Sequence, residues 1–184
     1  DATVAGYRER DPRNGFSIPP SINVKTATQA LARPGYLWDM LTSSKITPAN
    51  FEKVDTGGRD VMGVINEWFV SEWGGPFAVK GLSTAEDARK AVECGASAVW
   101  ISNHGGRQID TSVPVIDLIP EIRGAVGEGV EIIADGGVRR GSHILKLIAR
   151  GASSVAIGRA YLYGLAAGGE AGVDRAIQIL SEDV

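Results

Sequence analysis

Short apolar segments alternate with amphipathic segments over residues 76–184, and this alternation limits the possible fold more than any other feature. The apolar segments predict strands at 77–80, 98–102, 131–135 and 154–157. The amphipathic segments predict helices at 83–94, 119–126, 142–150, 160–167 and 172–181. This order favours a parallel α/β sheet, because parallel strands need crossover connections that are usually helical.

A repeated joint between helix and strand narrows the choice of fold. Residues 95–99 read Gly-Ala-Ser-Ala-Val, and residues 151–155 read Gly-Ala-Ser-Ser-Val. Repeated βα units with the same joint favour a (β/α) barrel over an open, doubly wound sheet, although both folds use such joints.

Composition and charge exclude several classes of protein. With 43% hydrophobic and 22% charged residues, the chain is expected to fold rather than to remain disordered. Its 19 Lys and Arg and 22 Asp and Glu give a net charge of -3, which argues against a nucleic-acid-binding protein. Cys94 is the single cysteine, so no internal disulfide can form, which suits a reducing compartment.

The length of 184 residues predicts one domain over 1–184, with an irregular insert or lid region at 12–75 and regular βα units at 76–184. No stretch of 18 apolar residues occurs, so no membrane-spanning helix is predicted. The opening Asp1-Ala2-Thr3-Val4 is unlike a secretory leader, so we expect no signal peptide and a cytoplasmic protein.

The densest polar cluster follows the second predicted strand, and it reads Ser102-Asn103-His104-Gly105-Gly106-Arg107-Gln108-Ile109-Asp110. In a barrel, the loops after the carboxyl ends of the strands carry the active site. His104 can accept a proton near neutral pH, and Arg107 offers a planar fork that matches a carboxylate. We therefore interpret this turn as functional rather than structural.

Glycine-rich turns follow the third and fourth predicted strands. They read Asp135-Gly136-Gly137-Val138-Arg139-Arg140-Gly141 and Gly158-Arg159, and each leads into a helix. Glycine N–H groups, a helix N-terminus and arginine together form a typical phosphate site, which predicts a phosphorylated cofactor. Its other end is expected to reach His104 and Lys80, the lysine at the end of the first strand; the alternative for Lys80 is an ordinary surface lysine.

No functional role is predicted for the other histidine or for the cysteine. His143 is interpreted as an exposed helix residue, and Cys94 as a buried packing residue at a helix end. No spacing of Cys and His indicates a metal site, so no metal is predicted.

The cluster at 102–110 closely resembles the signature of the FMN-dependent 2-hydroxy-acid oxidase and dehydrogenase family, which includes glycolate oxidase, lactate and mandelate dehydrogenases and flavocytochrome b2. The resemblance extends from residues 4–11 through Val79-Lys80-Gly81 and 135–141 to Gly158-Arg159-Ala160. It implies a TIM (β/α)8 barrel, here mainly its C-terminal half, with strands 5–8 and the end of strand 4. It also implies FMN as the cofactor and oxidation of an (S)-2-hydroxy acid to a 2-oxo acid.

The same resemblance implies a role for each matching residue. His104 would be the base, Arg107 and Arg8 would hold the substrate carboxylate, and Asp1 would pair with the imidazole. The flavin ring would contact Lys80 and Ser102. The ribityl chain and phosphate would be held by Asp135, Gly136, Gly137, Val138, Arg139, Gly158 and Arg159.

Members of this family are about twice as long as this chain, because they form a complete eight-stranded barrel. A half barrel would leave two open sheet edges, so we expect a partner chain or segment that carries the N-terminal half. The resemblance also implies a homo-oligomer, a tetramer. The alternative functions are a noncatalytic phosphate-binding or assembly subunit, and another barrel enzyme, such as an isomerase, that uses the same phosphate loops.

Residues 17–51 form an insert-like segment with apolar side chains such as Leu31, Leu37 and Trp38 beside Lys25 and Arg33. The segment is predicted to be a lid that packs on the barrel. The alternative is peripheral contact with the inner membrane, as in membrane-associated relatives, although a few basic residues attract anionic lipid only weakly.

Overall fold

A computed structural model describes residues 10–15, 23–42, 63, 65–107 and 109–184 of the protein. The contacts divide these residues into two compact units, the first with residues 10–42 and the second with residues 63–184. Within the described ranges, every helix is too short or too polar to cross a bilayer. The assignment of one domain to 1–184 stays a prediction.

The first unit contains three helices, α1 (Arg10–Asn14), α2 (Val24–Leu31) and α3 (Pro34–Thr42). Asn23 caps α2 with a reciprocal pair of hydrogen bonds, because its side chain accepts from the Thr26 N–H while its own N–H donates to Thr26 Oγ1. Pro34 is the first residue of α3, a position that tolerates proline. These helices differ from the irregular chain expected at 12–75.

The second unit starts with a π-helical segment, Ile65–Trp73, and continues as alternating strands and helices. They are β1 (Ala78–Leu82), α4 (Ala85–Glu93), β2 (Ala98–Ser102), α5 (Val115–Val126), β3 (Glu131–Asp135), α6 (Gly141–Ala149), β4 (Ser154–Val155) and α7 (Arg159–Glu182). The strands form one parallel sheet in the order β1-β2-β3-β4. The predicted strands 98–102 and 131–135 are confirmed, whereas β4 is two residues shorter than 154–157. The predicted end of a further strand at the N-terminus lies outside the described residues.

The two faces of the sheet have different roles. On one face Val99, Ile101, Ile132 and Ala134 are fully buried and belong to the hydrophobic core. The core is completed by residues of the crossover helices, among them Ala88, Ala91, Ile119, Ile122 and Leu147. Because side chains alternate along a strand, residues 100, 102, 133 and 135 lie on the opposite face. That face is available for a functional site.

A β-bulge at Gly81 places Lys80 and Leu82 of β1 on opposite faces of the sheet. Lys80 is paired with Trp100, and Leu82 with Ile101, so Gly81 is an extra residue in the ladder. Gly81 has a φ of +96°, which glycine adopts readily. The bulge turns Leu82 towards the core and leaves Lys80 on the face of Trp100. The strand therefore continues past its predicted end at Lys80.

The repeated joints predicted from the sequence have the same geometry. Gly95 and Gly151 both have positive φ, at +96° and +113°. The following Ala96 and Ala152 are buried, and each donates its N–H to a carbonyl of the preceding helix. The Ser97 N–H then donates to the carbonyl of Phe77, directly before β1, and the Ser153 N–H donates to the Ile132 carbonyl of β3. Each joint thus aligns a new strand against the preceding one.

Helix α5 begins at Val115, four residues before its predicted start, so Pro120 lies inside the helix rather than in its first turn. A proline lacks the N–H that would bond the carbonyl of the fourth residue before it, here Ile116. Arg150 Nε donates to the Ile116 carbonyl at 3.5 Å and satisfies it from α6. Arg150 thus supplies a donor to the carbonyl that Pro120 leaves without its helical partner.

Helix α7 contains a break at Gly168 and Gly169, where φ and ψ are not helical. The two parts correspond to the helices predicted at 160–167 and 172–181. They cross at Gly164 and Gly172, where a Cβ atom on either glycine would collide with the carbonyl group of the other. Glycine at both positions permits the close crossing.

We expect Gly164→Ala to lower the free energy of unfolding by about 1–3 kcal/mol, because the added methyl group must push the two parts of α7 apart. Gly124→Ala is the matched control, because Gly124 is an exposed residue of α5 and a Cβ there meets nothing within 4 Å. It should raise stability by about 0.5–1 kcal/mol through helix propensity. Equal effects of the two substitutions in urea unfolding would contradict the proposed crossing.

Candidate active site

The candidate site lies at the carboxyl ends of the strands, on the face opposite the core. Four side chains meet there because their strands are in register: Lys80 is paired with Trp100, and Ser102 with Asp135. Hydrophobic residues fill the other face of the same strands, so the alternation of β2 and β3 fixes these polar side chains in place.

Asp135 has three polar neighbours, two that donate hydrogen bonds to its carboxylate and one that forms an ion pair with it. Ser102 Oγ donates to Oδ1 at 2.5 Å, and Trp100 Nε1 donates to Oδ2 at 2.9 Å. Lys80 Nζ lies 3.3 Å from Oδ2, and the side chains of Lys80 and Asp135 are 34% and 18% exposed. The carboxylate is therefore neutralised and hydrogen-bonded where it is largely shielded from water.

Lys80 has two further contacts that fix its ammonium group. Nζ donates to Ser102 Oγ at 3.3 Å and lies 5.3 Å from the centroid of the Trp100 ring. A cation at this distance from an indole face is stabilised by the ring quadrupole. Lys80 also lines the cleft described below.

The chain after β2 makes a tight turn through residues 104–106, with φ of +56°, +67° and +70° at His104, Gly105 and Gly106. His104 is the one non-glycine with positive φ among the described residues. Ser102 Oγ accepts the His104 N–H at 3.1 Å, and Asn103 Oδ1 accepts the Gly105 N–H at 3.0 Å. The turn is thereby held in a conformation that costs energy for histidine.

The glycine-rich turn after β3 lies against this turn. Gly136 has a φ of +122°, and a Cβ atom there would lie 2.6 Å from Asn103 Oδ1. Gly137 also has positive φ, while Val138 is buried in the core. Arg159, which follows β4, donates from Nη2 to the Gly105 carbonyl at 2.7 Å. The loops after three successive strands are thus in direct contact.

These loops and strand ends line one cleft of about 930 Å³. Its lining includes most of the residues predicted from the sequence: Lys80, His104, Arg107, Asp135, Gly136, Gly137, Val138, Arg139, Gly158 and Arg159. Ser102 is buried beside the cleft and contacts Lys80 and Asp135. The other two predicted residues, Asp1 and Arg8, lie outside the described residues.

The charge of the cleft favours an anionic ligand. Its lining contains four cationic side chains, Lys80, Arg107, Arg139 and Arg159, and one carboxylate, Asp135. Asp135 is already paired with Lys80, so the arginines supply an excess of positive charge. Within the described part of the chain, no three His, Cys, Asp or Glu side chains form a group that could hold a metal ion.

The sequence did not single out Trp100 and Asn103. The period of two along β2 could have placed Trp100 on the side of Ser102, but its contact with Asp135 depends on the register of the sheet. Asn103 directly before a glycine turn is a recognisable capping signal.

His143 is half-buried rather than exposed, and its Nδ1 accepts the Arg139 N–H at 3.4 Å. It lines a second cleft of about 470 Å³.

Comparison with known proteins identifies one family and several relatives of this chain. A family model described as FMN-dependent dehydrogenase matches residues 1–184. The chain is 40% identical over 186 residues to an L-lactate oxidase of Lactobacillus jensenii, covering 100% of this chain and 42% of that protein. It is 38% identical over 185 residues to a pre-mycofactocin synthase of Mycobacterium tuberculosis, covering 89% of this chain and 46% of that protein.

Among solved structures, the monotopic membrane protein (S)-mandelate dehydrogenase matches with a TM-score of 0.84 and 36% identity, over 98% of this chain and 51% of that chain. The chain spans about half the length of the curated relatives it matches. The predicted fold, half of an α/β barrel, is confirmed by this likeness and by the parallel sheet.

A pair of substitutions at Trp100 should separate its two contacts. Trp100→Phe keeps a ring beside Lys80 but removes the N–H that bonds Asp135, so we expect a loss of about 1.5–3 kcal/mol in the free energy of unfolding. Trp100→Leu also removes the ring and should cost about 0.5–1 kcal/mol more.

Trp73→Phe is the control for Trp100→Phe. The Trp73 indole is 65% exposed and donates to the neutral Pro76 carbonyl, so its loss should cost less than about 1 kcal/mol. Equal losses for the Trp100 and Trp73 variants in urea unfolding would show that the Asp135 contact contributes nothing.

Proposed function

Because the chain belongs to the FMN-dependent dehydrogenase family, we propose that it supplies the cofactor-holding half of an enzyme that oxidises an (S)-2-hydroxy acid to a 2-oxo acid. The observation that supports this most is the single cleft shared by a histidine, four cationic side chains and two glycine-rich turns. Relatives named L-lactate oxidase and (S)-mandelate dehydrogenase support the substrate class.

The residues present fit FMN. A phosphate needs N–H donors and cations, and the lining of the cleft offers both, through Gly136, Gly137, Arg139, Gly158 and Arg159. The volume of about 930 Å³ lies in the range of cofactor pockets. Lys80 and Ser102 are proposed to contact the flavin ring, where the fixed ammonium of Lys80 would stabilise negative charge.

Bound FMN would accept the two electrons that leave the substrate. His104 is proposed to accept a proton from the substrate at its imidazole, and Arg107 to bind the substrate carboxylate through its planar fork. The resemblance to the family gives Arg8 a second contact with the carboxylate and gives Asp1 the pairing that stabilises the imidazolium.

The open edges of the sheet support the proposal that an N-terminal half completes the barrel. Among the described residues, β1 pairs only with β2, and β4 only with β3. Unpaired strand edges are ready to pair with further strands. We propose that a chain or segment with the first half of the barrel pairs there, and that the completed protein forms a homo-oligomer, with a tetramer as the specific expectation.

The alternative function is a noncatalytic phosphate-binding or assembly subunit. Such a subunit would need the glycine turns and Arg159, but it would not need an imidazole and a second arginine in the same cleft. His104 and Arg107 both line the cleft, which favours the enzyme.

Peripheral contact with a membrane is proposed as an alternative to the lid role of residues 17–51. Leu31, Trp38 and Leu41 are 68–70% exposed in α2 and α3, and Lys25 and Arg33 lie in the same short stretch of chain. Exposed aromatic and aliphatic groups beside basic residues are typical of interfacial helices. The similar (S)-mandelate dehydrogenase is a monotopic membrane protein.

We expect His104→Ala to keep FMN bound but to slow anaerobic flavin reduction by an (S)-2-hydroxy acid by about 10²–10⁴-fold, because the proton acceptor is lost. The measurement is the loss of flavin absorbance after mixing with glycolate, lactate or mandelate. His143→Ala, which removes the other histidine, should keep reduction within a few-fold at saturating FMN. Loss of FMN together with activity in His104→Ala would make the role of His104 structural.

Substitution of Leu31, Trp38 and Leu41 by Ser should abolish cosedimentation with anionic liposomes if these side chains enter the bilayer, and flavin content serves as the control. Equal sedimentation of the substituted and original proteins would exclude this membrane contact and leave the lid role.

A further inference from the structure

The His104 turn is strained and needs support from outside. Three consecutive residues, His104, Gly105 and Gly106, have positive φ. For a non-glycine residue this conformation costs about 1–3 kcal/mol and persists only when neighbouring contacts fix it. The position of the His104 side chain therefore depends on whatever holds the backbone of residues 104–106.

Most of the contacts that hold this turn are local and involve its N–H groups. Ser102 Oγ accepts the His104 N–H, and Asn103 accepts the N–H groups of Gly105 and Gly106 through Oδ1 and its carbonyl, at 3.0–3.1 Å. All of these acceptors lie within three residues of the groups they bind. Through Ser102, which donates to Asp135, and Asn103, which lies against Gly136, they tie the turn to the loop after β3, but they do not reach the loop after β4.

One contact joins the turn to the loop after β4. Arg159, 54 residues further along the chain, donates from Nη2 to the Gly105 carbonyl at 2.7 Å. The approach is close enough that a Cβ atom on Gly105 would lie 2.5 Å from Nη2. Position 105 therefore requires glycine for two reasons: its φ is positive, and a side chain would collide with the Arg159 guanidinium.

The guanidinium has donors to spare. It carries five N–H donors in a rigid plane, and the contact with Gly105 uses one nitrogen. Arg159 also lines the cationic cleft as the first residue of α7, so its other donors are available to an anion there. A planar fork can hold a phosphate on one side and a carbonyl on the other, as the point charge of lysine cannot.

We propose that Arg159 is a positioning residue that couples the cofactor phosphate to the His104 turn: phosphate binding fixes the guanidinium, which fixes the Gly105 carbonyl and so the backbone that carries His104. The inference rests on the proposed function and goes beyond phosphate binding. Because the Gly105 carbonyl and the Gly106 N–H belong to one rigid peptide plane, the coupling is measurable at the Gly106 amide.

Hydrogen–deuterium exchange of the assembled protein tests the coupling without any substitution. FMN at saturation should slow exchange of the Gly106 amide by roughly tenfold, the effect of one charge-assisted hydrogen bond. Riboflavin, which lacks the phosphate, should protect this amide several-fold less at saturation. Amides of α4 serve as the internal control, because this helix contributes no residue to the cleft.

Arg159→Lys should abolish the FMN-dependent protection of residues 104–106, even at saturating FMN. It should also slow flavin reduction by about 10–100-fold, the cost of a misplaced catalytic group. Arg139→Lys is the matched comparison, because it removes a fork from the same cleft and should weaken FMN binding. Protection of Gly106 at saturating FMN should survive in that variant.

The possible outcomes are distinguishable. If FMN protects residues 136–139 but leaves Gly106 unchanged or faster, the coupling is wrong and the proposed function stands. If FMN does not bind at all, the proposed function fails and the coupling fails with it. If Arg159→Lys does not fold, the comparison of FMN with riboflavin in the unsubstituted protein decides.

Discussion

The carboxylate of Asp135 is the group on which the arrangement of the site depends. It is largely shielded from water on the face of the sheet opposite the core, and such a charge is stable only when paired and hydrogen-bonded. Ser102 and Trp100 of the adjacent strand β2 donate hydrogen bonds to it, and Lys80 of β1 forms an ion pair with it. The ion pair that neutralises Asp135 also holds the ammonium group of Lys80 in the cleft. The contacts that stabilise a shielded carboxylate therefore also place a positive charge where a ligand could bind.

The backbone of the loops contributes as much as the side chains. Positive φ at residues 104–106, 136 and 137 brings the turns after β2 and β3 together, and Gly136 leaves room for Asn103 between them. Arg159 then joins the turn after β4 to the turn after β2. Rigid strands with glycine-rich ends are a general way to bring distant residues into one site.

Much of the fold was predictable because local signals and tertiary structure agree in β2, β3 and the two glycine joints. The start of α5 was not predicted, because proline disfavours a helix interior, whereas here Arg150, directly after α6, donates to the Ile116 carbonyl that Pro120 leaves unpaired. The bulge at Gly81 was missed for a similar reason, because it is visible only in the pairing with β2. The lining of the cleft follows from the rule that strand ends carry function, whereas the contacts of Trp100 and Arg159 depend on register and loop packing.

We propose that the cationic cleft of this chain holds FMN, with the phosphate at the glycine turns and the ring beside Lys80. A crystal structure of the assembled protein with FMN tests it most directly. We expect density for the phosphate against residues 136–139 and Arg159, and for the ring within contact of Lys80 and Ser102. Flavin bound elsewhere, or a cleft that remains empty at saturating FMN while His104 and Arg107 point apart, would contradict the account.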